Sequence, residues 1–280
     1  MLWQGVEKRE AMTVHEGEVV LLDVLSGSVT LKSGQSFSAD LVVGADGAGS
    51  SIRKLGEFAC EQKSYGQTAI VATIRHEHVH HQRLIQRFLP NGPVALLALQ
   101  DPHESSLVWT MSATQAEAMQ QYDDQAFGEA LTEALQFREG KGGLGKCQVL
   151  DARHGFPLWQ RHVQSYYKEK VVLVGDAAHT VHPLAGQGLN LGLMDVRRLA
   201  AVLTKARTRS WGLSGMPSLR QWSRDCHAEN AKKQAAFSGI NALFASQNTC
   251  VNGLRQMGMA VMHRLPIFKR EVMRVACGSE

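Results

Sequence analysis

The spacing of apolar and polar positions changes character several times along the chain. Three short apolar runs come first, at residues 18–24, 28–32 and 37–43, separated by the turn residues Ser26-Gly27 and Ser33-Gly34-Gln35. The third runs on through Gly44-Ala45-Asp46-Gly47. A short apolar run feeding into Gly and Asp is the pattern of a buried parallel strand delivering a loop to a site. Strand candidates follow at 68–74, 84–89, 94–99 and 106–111, with Asn91-Gly92-Pro93 as a turn between two of them. Residues 114–137 read as helical with a break near Asp123-Asp124, and 140–145, with four glycines in six residues, as a loop. A second buried strand, 170–174, ends in Gly175-Asp176 and leads into a Gly-rich loop at 183–188. The helix after it places Val196, Leu199, Ala200 and Leu203 on one face at 3.6-residue spacing. A linker at 211–217 precedes a mostly helical end broken at Pro266.

Two strand–Gly–Asp loops thus lie about 130 residues apart with a β-rich stretch between them. The arrangement predicts a mixed α/β (α+β) chain: one nucleotide-binding type of layer interrupted by a separate sheet domain, with a helical C-terminal region. Composition adds exclusions. With 44% hydrophobic and 20% charged residues, disorder, a collagen-like fibre and a disulfide mini-protein are excluded. A net charge of +4 is too small a surplus to argue for a nucleic-acid partner. The strongest apolar runs, 94–99 and 171–174, are far short of the ~20 residues of a membrane helix. The first residues have no apolar signal-peptide core. Cys60, Cys147, Cys226, Cys250 and Cys277 are dispersed without a CxxC, so reduced thiols and a cytoplasmic location are expected.

The most informative stretch is 172–190. Asp176 sits where a parallel strand ends, and a carboxylate there accepts hydrogen bonds from sugar-like hydroxyls. Pro183 stiffens the chain, and Gly186 and Gly188 let backbone approach a flat ligand without a Cβ clash. A helix starting near 188–190 would point its N–H groups and positive dipole end at that ligand. On spacing alone, a Gly-rich connector with a helix cap remains open.

The words themselves go further. Gly175-Asp176-Ala177-Ala178-His179-Thr180-Val181-His182-Pro183-Leu184-Ala185-Gly186-Gln187-Gly188-Leu189-Asn190 resembles the GD motif of the para-hydroxybenzoate-hydroxylase-like flavin monooxygenases. Gly44-Ala45-Asp46-Gly47-Ala48-Gly49-Ser50-Ser51-Ile52-Arg53 is similar to the DG motif of the same family. Within it, the GD wording and the tail Leu265-Pro266-Ile267-Phe268-Lys269-Arg270 look most like the ubiquinone-biosynthesis hydroxylases. The resemblance implies FAD as cofactor and NAD(P)H as electron donor, with the flavin carrying the oxygen chemistry. It implies an aromatic-ring monooxygenase acting on a lipophilic, polyprenylated phenol or quinol. Gly175 and Asp176 would hold the ribityl chain, and Pro183, Gly186, Gln187, Gly188, Leu189 and Asn190 would line the isoalloxazine ring. Asp46, Gly47 and Arg53 would lie by the pyrophosphate. No side chain is singled out as catalytic, and no metal is expected.

On this reading residues 1–55 are the remnant of a Rossmann-like FAD-binding domain, 56–157 a β-rich substrate domain, 158–210 the return to the FAD-binding domain, and 211–280 a helical region. The family's Gly-x-Gly-x-x-Gly unit is not among these residues. Gly140-Lys141-Gly142-Gly143-Leu144-Gly145 matches the letters but follows no strand, so the expectation is an N-terminally truncated form. Two alternatives stay open: an inactive fragment serving as a binding module, and a flavin reductase or halogenase of the same fold. The tail 251–280 carries five Lys/Arg against two Glu among apolar residues, which suits peripheral contact with an anionic inner membrane. A homo-oligomer or biosynthetic complex is also expected. His76-Glu77-His78-Val79-His80-His81 invites a metal, but a solvated loop or edge is the expectation. Structural roles are expected for His179, for Ser50-Ser51 as helix caps, and for Trp109 and Trp159 in the core.

Overall fold

A computed structural model describes residues 11–135, 143–181, 187–208 and 217–245. In chain order the first strands are β1 (Val19–Asp23), β2 (Ser28–Leu31), β3 (Ser36–Ser38) and β4 (Val42–Gly44), followed by helix α1 (Ser51–Leu55). Then come β5 (Cys60–His76), β6 (Ile85–Leu89), β7 (Gly92–Ala98) and β8 (Glu104–Ser112), with helices α2 (Ala113–Gln120) and α3 (Asp124–Leu135). The remaining strands are β9 (Cys147–Val149), β10 (His154–Val163), β11 (Tyr167–Lys168), β12 (Val171–Leu173) and β13 (His179–Thr180). Helices α4 (Gln187–Thr208) and α5 (Pro217–Ala245) complete the described chain. The chain divides into two compact units.

Unit 1 takes the described residues of 11–61, 161–180 and 188–231. Its central sheet has the order β11-β12-β4, with β12 and β4 parallel. Val171, Val172 and Leu173 are wholly buried, as expected of a strand covered on both faces. Ile52, Val163, Tyr166, Leu199, Leu219, Trp222 and Cys226 belong to the same core. Gly44 is fixed by close approach: a Cβ there would lie 2.6 Å from Leu173 Cδ2 and 2.8 Å from Ile52 Cγ2. Proline at the first position of α5 loses no helical hydrogen bond.

Two expectations for this unit are corrected. The apolar run 37–43 is two strands: β3 closes a small antiparallel sheet β1-β2-β3, and β4 joins the parallel sheet. The face expected for α4 is also displaced. Val196 is 46% exposed and Ala200 is exposed, while Leu191, Asp195, Leu199 and Ala206 are buried. The buried stripe runs through an acidic residue, so periodicity counted on apolar residues alone selected a neighbouring face.

Unit 2 takes the described residues of 62–160, 181–187 and 232–245. Its antiparallel sheet runs β10-β5-β8-β7-β6, with β9 beside β5. The long β5 pairs with β8 from Gln67↔Ser112 to Arg75↔Glu104. Trp109 on β8 meets Phe127 of α3 edge-to-face at 5.8 Å, in a core with Ile70, Leu107 and Leu131. Helices α2 and α3 separate near Asp123, as the break in the pattern predicts. The expected turn at 91–93 lies instead at Pro90-Asn91, because Gly92 and Pro93 already pair in β7. Gly92 has φ +136°, and a Cβ there would lie 2.3 Å from the Thr110 carbonyl oxygen. Of the glycine run 140–145, residues 140–142 lie outside the described residues.

The histidine run is only partly a solvated edge. His76 and His80 are buried, while His78 and His81 are exposed. His76 places Nδ1 2.7 Å from the His78 carbonyl oxygen and Nε2 3.0 Å from Ser105 Oγ. His80 Nε2 lies 3.1 Å from the Asp101 carbonyl oxygen, and its Nδ1 accepts from the Gln82 N–H at 2.9 Å. All four ring nitrogens are thereby engaged in fastening the edge of the sheet.

Burial holds the His76 imidazole below its ordinary pKa, with the charges of His80 and His103 acting the same way. The unfolded chain titrates at about 6.5, so below that pH it binds a proton that the folded protein refuses. The stability tied to this group is full above about pH 6.5 and is lost as pH falls through the lower folded value. Urea midpoints measured at pH 7.5 and 5.5 should converge in His76→Asn relative to the wild type.

Candidate functional site

The pairing of β12 with β4 places Val171 opposite Val42, Val172 opposite Val43 and Leu173 opposite Gly44. The Val174 N–H then donates to the Gly44 carbonyl oxygen at 3.0 Å. The loops carrying Asp46-Gly47 and Gly175-Asp176 therefore leave side by side from the C-terminal ends of neighbouring parallel strands, where open α/β sheets bind ligands.

The two aspartates serve different ends. Asp46 Oδ2 accepts from the Ser51 N–H at 2.7 Å and the Ile52 N–H at 3.1 Å, and Ser50 Oγ accepts from the Arg53 N–H at 2.9 Å. Both side chains cap α1, so Ser50 has the capping role expected of it. Asp176 lies in the 3-10 turn Gly175–Ala177, is exposed, and has no hydrogen bond or ion pair given to its carboxylate among the described residues. A Cβ on Gly188, in the first turn of α4, would lie 3.9 Å from Asp176 Oδ1. An unengaged carboxylate thus stands beside a helix start.

Glycines keep this place open. Gly47 has φ +79°, and a Cβ there would meet nothing within 4 Å. Gly175 has φ +57°, and its Cα would lie 3.1 Å from a Cβ on Gly192, so α4 rests directly on the loop backbone. Leu189, 73% exposed, and Asn190 face solvent at the helix start. Pro183 and Gly186 lie outside the described residues, as does the side chain of Gln187.

Arg53, expected near a pyrophosphate, is 7% exposed and ties the two loops together. Its Nη1 donates to the Ala177 carbonyl oxygen at 2.8 Å and its Nη2 to that of Ala48 at 2.7 Å.

Periodicity gave no sign of a second group behind the Gly175 loop. Asp195 Oδ2 accepts from the Gly175 N–H at 3.2 Å and pairs with His179 Nε2 at 2.6 Å, both side chains being 2% exposed. Asn230 Nδ2 donates to Asp195 Oδ1 at 3.0 Å and to the Tyr166 hydroxyl at 3.2 Å. That hydroxyl lies 2.9 Å from His162 Nε2. Burial pushes the Tyr166 hydroxyl far above its ordinary pKa, so it stays protonated. Burial, with the Asp195 charge behind it, pushes the Cys226 thiol up to about 12. The available signal for this group was an acidic residue four positions from both Leu191 and Leu199.

Removing the Arg53 clamp tests the coupling of the loops. Arg53→Ala should destabilise the protein by about 3 kcal/mol, since hydrogen bonds from a charged donor are lost at one buried and one part-buried carbonyl. Arg53→Lys, lacking the planar fork, should fall in between. Denaturant titration measures both.

Comparison with known proteins agrees with this geometry. Residues 10–227 match the FAD binding domain family. The chain is 37% identical over 276 residues to a mitochondrial ubiquinone biosynthesis monooxygenase of Drosophila melanogaster, covering 89% of this chain and 58% of that protein. It is 32% identical over 281 residues to the 3-demethoxyubiquinol 3-hydroxylase of Escherichia coli, covering 99% of this chain and 70% of that protein. Its fold is like that of p-nitrophenol 4-monooxygenase from Pseudomonas putida, with a TM-score of 0.71 at 17% identity over 91% of this chain and 64% of that one. The chain spans 57–58% of the length of three of the curated relatives it matches. A strand-end carboxylate beside a glycine-lined helix start, a family match over most of the chain, and 32% identity to a relative it covers by more than two thirds lead to one assignment: the chain belongs to the FAD-binding-domain flavoproteins, in the branch of the ubiquinone-biosynthesis hydroxylases.

Proposed function

We propose that the protein works as an FAD-dependent monooxygenase that hydroxylates the ring of a polyprenylated phenol or quinol in ubiquinone biosynthesis, using O2 and NAD(P)H. The observation that carries this reading is the unengaged Asp176 carboxylate at the end of β12, beside the start of α4, in a chain of this family. The donor set fits a flavin. Asp176 accepts from ribityl hydroxyls. Gly47 and Gly188 leave room for close backbone approach. The N-terminal N–H groups of α4 favour negative charge on a reduced ring. When bound, FAD supplies the hydride-accepting and oxygen-activating chemistry. The chain's own part is to hold and orient it, with Arg53 tying the two loops together and Asp46 capping α1.

The expected partner is a lipophilic small molecule, with assembly into a homo-oligomer or biosynthetic complex. Among the described residues no helix is long and apolar enough to cross a membrane. The expected location is the cytoplasm, with peripheral contact to the inner membrane, where a polyprenylated substrate would reside, through the basic residues 251–280, which lie outside the described residues. Co-sedimentation should be stronger with anionic than with neutral liposomes and should weaken with salt. Equal binding to both would remove the electrostatic part.

Flavin titration tests the central claim. Asp176→Ala should weaken FAD binding by roughly 10–150-fold, the equivalent of about 1.5–3 kcal/mol for a lost charge-assisted hydrogen bond. Unchanged affinity would remove Asp176 from the site.

A further inference from the structure

The hydrogen bonds that reach the Asp195 carboxylate have a fixed direction. A carboxylate only accepts, so Asn230 must turn its amide nitrogen, not its oxygen, toward Asp195. The second amide hydrogen is then given to the Tyr166 hydroxyl. With its oxygen accepting there, Tyr166 still has its single hydrogen to give, and His162 Nε2 lies 2.9 Å from the hydroxyl oxygen. Donation from that hydroxyl would leave the His162 proton on Nδ1, while His179 meets the Asp195 carboxylate through a proton on Nε2. His162 stacks on His227 with ring centroids 4.2 Å apart and planes inclined by 17°.

Among the described residues, the three hydrogen bonds that reach the Asp195 carboxylate all serve this array. One oxygen takes Gly175 and His179, the two ends of the turn that presents Asp176. The other takes Asn230, on a different helix. Asp195 is on α4, the helix whose first turn reaches Asp176. A single buried charge thus sets the loop against the helix start. An isolated carboxylate at this depth would be costly, and three donors offset that cost.

We propose that Asp195 is a positioning residue for the flavin site, with Asn230 and Tyr166 orienting its carboxylate from behind. It touches no flavin; it holds the Gly175–His179 turn in the shape that leaves the Asp176 carboxylate unengaged. The inference rests on the reading of Asp176 as a flavin ligand, and the test separates the two.

The experiment uses the full chain. Side-chain 15N NMR without flavin reads the histidine tautomers: the wild type should show His179 protonated on Nε2 and His162 on Nδ1. Tyr166→Phe, which removes only the hydroxyl, should release His162 from that single tautomer and leave His179 unchanged. Asp195→Asn should release His179, speed hydrogen exchange at the Gly175 amide, and weaken FAD binding roughly tenfold or more, as expected for the loss of a charge-assisted pair. Leu199→Ala, one turn along the same buried face, should lower stability but leave the tautomers and FAD affinity of the folded protein unchanged. If Asp195→Asn does not fold, Asn230→Ala should still alter the Gly175 exchange and lower FAD affinity several-fold. A wild-type His179 protonated on Nδ1 alone would overturn the proposal. So would a folded Asp195→Asn that binds FAD like the wild type while Asp176→Ala does not. Should Asp176→Ala bind normally, the flavin-ligand reading fails, and the proposal for Asp195 fails with it unless Asp195→Asn still weakens FAD.

Discussion

The parallel pairing of β4 with β12 is the contact on which the candidate site depends. It joins segments more than a hundred residues apart through three residues on each strand. Such a short pairing is held by what surrounds it. Val171, Val172 and Leu173 are wholly buried, and the missing side chain of Gly44 admits Leu173 and Ile52. Because the two strands end level, the Gly–Asp loops that follow are neighbours, and a guanidinium from one reaches a carbonyl of the other.

Within that frame, similar residues acquire different work from local geometry. Asp46 precedes a helix by a few residues, and its carboxylate satisfies N–H groups that would otherwise lack partners. Asp176 sits in a tight turn, exposed. Asp195 is buried and surrounded by donors, so its charge organises the turn from behind. One side chain caps a helix, one is exposed with no partner among the described residues, and one is buried among three donors. The difference lies in how many donors the fold brings to each carboxylate.

The second unit spends its polar groups in the same way. Its long strand β5 is paired along most of its length, and the helices after β8 cover the sheet with Phe127 and Leu131. The histidines at its edge resemble a metal set in the sequence, yet His76 and His80 spend their nitrogens on backbone groups and a serine hydroxyl. A buried imidazole with two satisfied nitrogens behaves as a polar core residue and is held neutral by its burial.

The sequence by itself determined the family, the two Gly–Asp loops and most strands. Those properties are written locally, in short apolar runs, turn residues and motif words. The tertiary structure decided which carboxylates are used up and which is available. It also decided that Arg53 is a clamp, that residues 37–43 divide between two sheets, and that the buried face of α4 passes through Asp195. A polar residue reads as surface until its partners are known, and the partners of Asp195 come from Gly175, His179 and Asn230, as far as 35 residues away in sequence. Apolar burial has a period that one strand or helix reveals alone, whereas the satisfaction of a buried charge is a property of several segments at once.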